Sequence, residues 1–426
     1  MSSPLWKKPF TDSMYGSISF GDAISALIQT PVVQRLRHVR LSNIDSIDMP
    51  GIANLSRFEH VLGVAHLASL IKFRTPLSQF DQLILIASAL LHDWAISPFG
   101  HLVEEALQYV GTGFEHDVKL REIIRDEDKE VIGGMNLQLC SGREANFDKW
   151  SKIFADEKSD QLLDEIMQHI TGHGRMGRII SGDIDIDNID NVFRMAFHMG
   201  IGIDPGIPTR LAQQITSADK KGGPVFSTSA KADIETWRLT RQAVYQKLML
   251  AERDFVGKLM MLYASVAALK NKEITKNDWS LDDHTFLATL RNSTTREVRD
   301  TVSRWLSGDI WVCTPLQWIL GDRPDYPTLL EFSDQLSDVL NRKCFAYGIK
   351  DKRDRHLTIY FDDNTSEEIG TNAKQWLFGV GSSKRLPFSS AEINKIFTFA
   401  QSFFNTTIIG PASNNNSDVD NQTSLF

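Results

Sequence analysis

Between Val32 and Asn271 apolar residues recur three and four positions apart, the spacing that builds one face of a helix. The pattern predicts helices over Phe58–Ile71, Gln82–Leu91, His101–Val110 and Ile184–Met199, with Gly and Pro marking the loops. Ahead of them, Asp22 is placed to cap a helix through Ile24, Leu27 and Ile28 that stops near Pro31. Residues 1–20 read as a turn-and-strand segment ending in Tyr15-Gly16-Ser17-Ile18-Ser19-Phe20. A long amphipathic stretch, Ile234–Leu269, carries Trp237, Tyr245 and Phe255 on its apolar stripe and predicts one or two helices packed into the core. Farther on the segments shorten. His356–Phe361 has the composition of a strand, with Gln375–Val380 as its expected partner, and Ala391–Phe404 returns to helix. Residues 411–426, rich in Asn, Ser and Asp, are expected to be disordered. The expected divisions are a terminal segment over 1–20, a helical domain over 21–220, flanking helices over 221–300, a small α+β region over 301–410, and the tail over 411–426.

Composition narrows the class only slightly. Hydrophobic residues make up 42% and charged residues 23% of 426 residues, ordinary for a globular chain. No apolar run approaches the roughly 18 to 20 residues of a membrane span, and Met1–Phe10 has no apolar signal core. The three cysteines, Cys140, Cys313 and Cys344, are far apart and fit a reducing cytosol, so a cytoplasmic protein without membrane contact is expected. A net charge of -8 disfavours a broad nucleic-acid surface but leaves room for a locally basic pocket holding a small phosphorylated substrate.

The chemistry concentrates in three places. Leu90-Leu91-His92-Asp93 ends an apolar helix in an imidazole and a carboxylate, a donor pair suited to a first-row divalent metal. Arg57-Phe58-Glu59-His60 opens another apolar helix with a single His near its start. In Gly182-Asp183-Ile184-Asp185-Ile186-Asp187-Asn188-Ile189-Asp190, four carboxylates fall within eight residues at a helix start. The helix dipole offsets that charge by at most about 1 kcal/mol, and a bound cation would do far more. His101 and His116 follow close behind the His-Asp pair. Arg194 stands seven residues, two turns, beyond Asp187, a spacing that would let it meet a phosphate tail. The cluster Arg35, Arg37, His38 and Arg40 reads as a solvated helix face, and the glycine-rich Gly172–Arg178 run as a mobile connector.

The ordered set Arg57-Phe58-Glu59-His60, His92-Asp93, Ser97-Pro98-Phe99-Gly100-His101 and Ile184-Asp185-Ile186-Asp187 resembles the HD superfamily of metal-dependent phosphohydrolases. More narrowly it resembles the deoxynucleoside triphosphohydrolases and their bacterial relatives, over roughly residues 10–300. The resemblance implies a mainly α fold: an HD-domain helical bundle with additional C-terminal helices, followed here by the small α+β region. It implies that His60, His92, Asp93 and Asp187 hold one divalent ion (Mn, Mg, Fe, Co, Ni or Zn), which acidifies a bound water. Arg57 would grip phosphate, with Arg194 and Asn191 on the substrate side. His101 and His116 would serve as proton donor or orienting groups, and Glu104 could orient one of them. A nucleotide, with a dNTP as leading class, is the implied substrate, and a homo-oligomer the implied assembly.

Two departures stand out. The family's HDxGH run is here His92-Asp93-Trp94-Ala95-Ile96, so Ile96 replaces an imidazole expected to contact phosphate. The family's nucleotide-facing lysine, tyrosine and aspartate are matched by Asn188, Asn191 and Met195. These departures admit a rival reading, a catalytically degenerate nucleotide sensor or regulatory subunit.

Overall fold

The computed structural model describes residues 9–43, 46–113, 159–371 and 374–412. His116 and most of the expected tail therefore lie outside the described residues. The chain opens with a hairpin of β1 (Phe10–Asp12) and β2 (Gly16–Ile18) that turns at Gly16, where φ is 72° and a glycine fits without strain. Next come α1 (Asp22–Ile28) and α2 (Pro31–Arg35). The cap of α1 is Gly21 rather than Asp22, which begins the first turn.

Then follow α3 (Arg57–Leu70), α4 (Gln79–Leu91), α5 (Leu102–Tyr109), α6 (Ser159–Ile170), α7 (Gly177–Ile180), α8 (Ile186–His198) and α9 (Ile207–Gln213). Ser56, Ser78 and Asp185 cap α3, α4 and α8 by accepting the backbone N–H groups of Glu59, Asp81 and Asn188. After β3 (Ile215–Ala218) and β4 (Pro224–Phe226), the long amphipathic stretch forms two helices, α10 (Lys231–Leu250) and α11 (Glu252–Lys270). They break at Ala251, whose ψ of 96° leaves the helical region.

The chain continues through α12 (Asp283–Arg291), α13 (Arg296–Leu306), β5 (Val312–Cys313), β6 (Gln317–Leu320), α14 (Tyr326–Leu340) and β7 (Cys344–Lys350). It closes with β8 (Leu357–Phe361), β9 (Ser366–Ile369), β10 (Gln375–Ser382), α15 (Ser390–Phe404) and β11 (Ile408–Pro411). The fold is mainly α with small sheets, in agreement with the apolar periodicity.

The strand pairing differs from expectation. β10 does not pair with β8; it runs antiparallel to β7 on one edge, from Trp376↔Lys350 to Ser382↔Cys344, and to β6 and β5 on the other. β8 instead joins β9 and lies parallel to β4, so residues 357–369 return to the hairpin at 215–226 and cross the expected boundary at 220. Composition marks both segments as strands, but pairing is settled by the apolar faces they bury, which a single strand does not display.

One core runs from α1, α4 and α5 through α11 to the C-terminal sheet, and a second gathers α3, α8, α9 and α10 with β8. The basic cluster is a solvated face only in part: Arg37 and His38 are exposed, but the other two are engaged. Arg35 is 2% exposed and donates to the Ile96 carbonyl, while Arg40 pairs with Asp283 at 3.2 Å. The Gly172–Arg178 connector, expected to be mobile, is tied to α4 through an Arg175–Asp81 pair. Among the described residues no helix is long and apolar enough to cross a membrane.

Candidate metal centre

Three helix ends supply the donors. The first turn of α3 turns Arg57 and His60 inward. The apolar α4 ends at Leu91, leaving His92 at its C-cap and Asp93 in the following turn. Asp187 sits in the first turn of α8, where the helix dipole favours a carboxylate. Asp187 Oδ1 lies 2.9 Å from His60 Nε2 and 3.5 Å from His92 Nε2. Asp93 Oδ2 lies 3.5 Å from His92 Nε2 and 3.9 Å from His60 Nε2. The donor atoms of His60, His92 and Asp93 all lie within 4.8 Å of one another, a group that could hold a metal ion.

The donor chemistry agrees. His92 Nδ1 faces the Ala89 carbonyl at 2.8 Å, which directs Nε2 to the centre, and that Nε2 is buried with no hydrogen-bond partner. Burial works most strongly against charge on His92, yet Asp93 and Asp187 outweigh it and lift its pKa to about 10. Burial likewise favours neutral Asp93, but Arg57, His92 and His60 hold it well below the usual carboxylate range. Two carboxylates in a buried pocket thus favour positive charge at this point, as proton or as metal.

Residues 57–220 match the family model for the HD domain. That segment is similar to an HD domain. Among curated relatives, an uncharacterized protein of Methanocaldococcus jannaschii is 25% identical over 67% of this chain and 55% of its own length. The deoxynucleoside triphosphate triphosphohydrolase SAMHD1 of Gallus gallus is 35% identical over 46% of this chain. The chain spans just over half of the first relative and 34% of the second. The crystal structure of a phosphohydrolase from Bacteroides thetaiotaomicron superposes with a TM-score of 0.63 at 16% identity, covering 88% of this chain and all of that one.

Within residues 57–220 the His60 ring is held from behind. Asp190 Oδ2 accepts from His60 Nδ1 at 2.7 Å, and Tyr15 Oη donates to Asp190 Oδ1 at 2.7 Å. Arg194 grips both Asp190 oxygens at 2.9 Å. Gly63, one turn after His60, is where this buried pair meets α3. A Cβ there would lie 2.2 Å from Arg194 Nη2 and from Asp190 Oδ1. In the sequence Asp190 is merely the last member of the carboxylate run, with no role of its own; its three-residue step from Asp187 is the available signal.

Arg194 is a correction. It is 0% exposed, and its donors go to Asp190, Glu59 and Asp12, so it faces away from any substrate. Arg57 differs too. Its Nη1 holds Asp93 Oδ2 at 2.6 Å and its Nη2 the Leu41 carbonyl at 2.9 Å, so most of its fork positions a ligand rather than standing open to phosphate. Ile96 is 0% exposed within the main core, so position 96 does not face the site.

A cavity of about 580 Å³ opens beside the candidate ligand residues, and its lining includes Asn43, Arg57, His92, Asp93, His101, Asp187, Asn191 and Met195. His101 Nδ1 lies 2.9 Å from Glu104 Oε2, which fixes the ring at the start of α5. The adjoining Gly100 has φ 69° and lies so close to Asn43 Oδ1 that no side chain fits. Asn188 points elsewhere, accepting from Arg241 Nη1 at 2.7 Å. The far wall comes from a region with no sequence signal, α14 and β7.

Proposed function

We propose that the chain is a metal-dependent phosphohydrolase acting on a nucleotide, with a deoxynucleoside triphosphate as the leading substrate class. The observation that carries this reading is the group of His60, His92 and Asp93, whose donor atoms lie within 4.8 Å of one another, with Asp187 Oδ1 2.9 Å from His60 Nε2 and 3.5 Å from His92 Nε2. The four residues would hold a divalent ion, which supplies an acidified water and polarises a phosphoryl oxygen. Arg57 keeps Asp93 ionised and aimed at the ligand point. Asp190 fixes the His60 ring. His101, steadied by Glu104, stands in the cavity wall where it can hand a proton to the leaving group. A cavity of about 580 Å³ accommodates a nucleotide-sized ligand. The relative named as a deoxynucleoside triphosphate triphosphohydrolase supports the substrate class.

The test combines metal analysis of the purified protein with a nucleotide panel assayed in Mn²⁺, Mg²⁺, Co²⁺ and Ni²⁺. Wild type should carry metal and turn over at least one nucleotide, and the His92→Ala/Asp93→Ala double variant should do neither. Equal turnover by both proteins would remove the reading. A second reading, a nucleotide sensor without turnover, draws on Asn191 and Met195 lining the cavity where the family has tyrosine and aspartate. It predicts nucleotide-dependent thermal stabilisation with no product.

A further inference from the structure

The cavity does not end at the metal ligands, and α5 acts as its ruler. Glu105 and Gln108 follow His101 on the cavity side, about 6 and 10 Å farther along at a rise of roughly 1.5 Å per residue. At that distance the lining changes character. Lys258 from α11, Arg323 ahead of α14, and Lys350 and Lys352 at the end of β7 all contribute to the wall, with Glu105 as the carboxylate among them. Lys258 is 3% exposed and donates to Glu105 Oε1 at 3.1 Å. Arg323 Nη1 is buried with no hydrogen-bond partner. Lys258 thus has the Glu105 carboxylate beside it, whereas a buried guanidinium nitrogen left without a hydrogen bond, as at Arg323, would gain from an anion.

The aromatic groups of this wall are already committed. Arg323 lies over the Tyr326 ring at 4.1 Å, Tyr109 packs against that ring at 4.8 Å, and Tyr347 packs on Phe255 at 5.2 Å. This end of the cavity therefore offers positive charge rather than a stacking face for a base.

We infer that Lys258, Arg323, Lys350 and Lys352 form an anion subsite that takes a second negatively charged group of the substrate, beyond His101 along α5. This rests on the phosphohydrolase reading for the word substrate, but the subsite itself is testable without turnover. A phosphate chain running along α5 past His101 would meet Lys258 beside Glu105, in the same cavity wall as Arg323, Lys350 and Lys352. Substrates carrying two or more phosphates should bind better than those carrying one. The C-terminal α+β region thereby acquires a role in binding, since it closes the substrate cavity with charge.

The experiment is calorimetric binding of sodium tripolyphosphate and of orthophosphate to the full chain as purified, repeated after EDTA treatment to separate metal ligation from lysine binding. Tripolyphosphate should bind at least tenfold more tightly than orthophosphate in both states. The Lys350→Glu/Lys352→Glu variant, changed at two exposed positions, should lose that advantage while keeping its Tm. dGTP should displace the bound tripolyphosphate. Unchanged tripolyphosphate affinity in the double variant would overturn the subsite. Lysine-dependent binding that dGTP does not displace would assign it to a separate anion and overturn the substrate assignment. If the subsite binds as expected but no nucleotide is hydrolysed, the phosphohydrolase reading fails and the subsite stands.

Discussion

Asp190 accepts the Nδ1 proton of His60 at 2.7 Å while His60 Nε2 looks toward Asp187 at 2.9 Å, so one buried imidazole is held between two carboxylates. Asp190 is ionised: burial opposes this, but Arg194 and His60 bring its pKa down to about 2. Asp190→Asn should therefore lower metal affinity by about 10- to 100-fold without removing a ligand. It should also cost about 3 kcal/mol of stability by leaving Arg194 short of a buried partner. Metal titration and denaturant unfolding read the two effects separately. Gly63→Ala should reproduce both in weaker form by pushing on the same pair.

His101 and Glu104 make a second pair with separable roles. His101→Gln should reduce kcat by about 10²- to 10⁴-fold with metal content unchanged, the range expected for losing a general acid. Glu104→Gln should cost less, roughly tenfold, and should shift the basic limb of the kcat profile to lower pH, because a carboxylate that favours the imidazolium has gone. If Glu104 only supports the fold, the variant will lose stability without moving the profile.

These two pairs show how much of the site is legible in the chain itself. The four candidate ligand residues sit at helix ends whose boundaries apolar spacing places to within about three residues, and imidazole next to carboxylate narrows the chemistry to metal or proton transfer. Arg194 illustrates the limit. A position two turns beyond Asp187 gives an azimuth, but whether that face meets solvent or α3 depends on Gly63, more than a hundred residues away. β7 shows the limit more sharply. Nothing in Tyr347-Gly348-Ile349-Lys350 marks it as a cavity wall. It takes that place because α14 and β7 pack together and α14 meets α5, a long-range arrangement that no local pattern encodes.

Glu273 ties the end of α11 to the start of α13, accepting from Thr295 N at 2.9 Å, Thr295 Oγ1 at 3.1 Å, and the hydroxyls of Ser293 and Thr294. Those bonds, the Ser293 hydroxyl foremost, lower its pKa to about 2 from 4.5. A depressed folded-state pKa contributes stability that is complete above the unfolded value and lost as pH falls through the folded one. The Tm gap between wild type and Glu273→Gln should therefore be constant above pH 4.5 and close between there and pH 2. A gap that persists at pH 2 would mean the glutamate acts through packing instead of charge.

Ile96 offers the sharpest separation of sequence expectation from structure. The family's run places an imidazole here, which invites the view that Ile96→His would restore a lost phosphate contact. The side chain is 0% exposed and packed in the core beneath the site, and the residue's carbonyl already accepts from Arg35. An imidazole in that environment has no partner supplied, and leaving its polar nitrogens unsatisfied costs about 1–3 kcal/mol. Ile96→His should therefore lower Tm and leave nucleotide hydrolysis no faster than wild type. A gain in kcat/KM of tenfold or more would show that this turn can rotate position 96 into the cavity, and that the family's phosphate-binding geometry is still available to this chain.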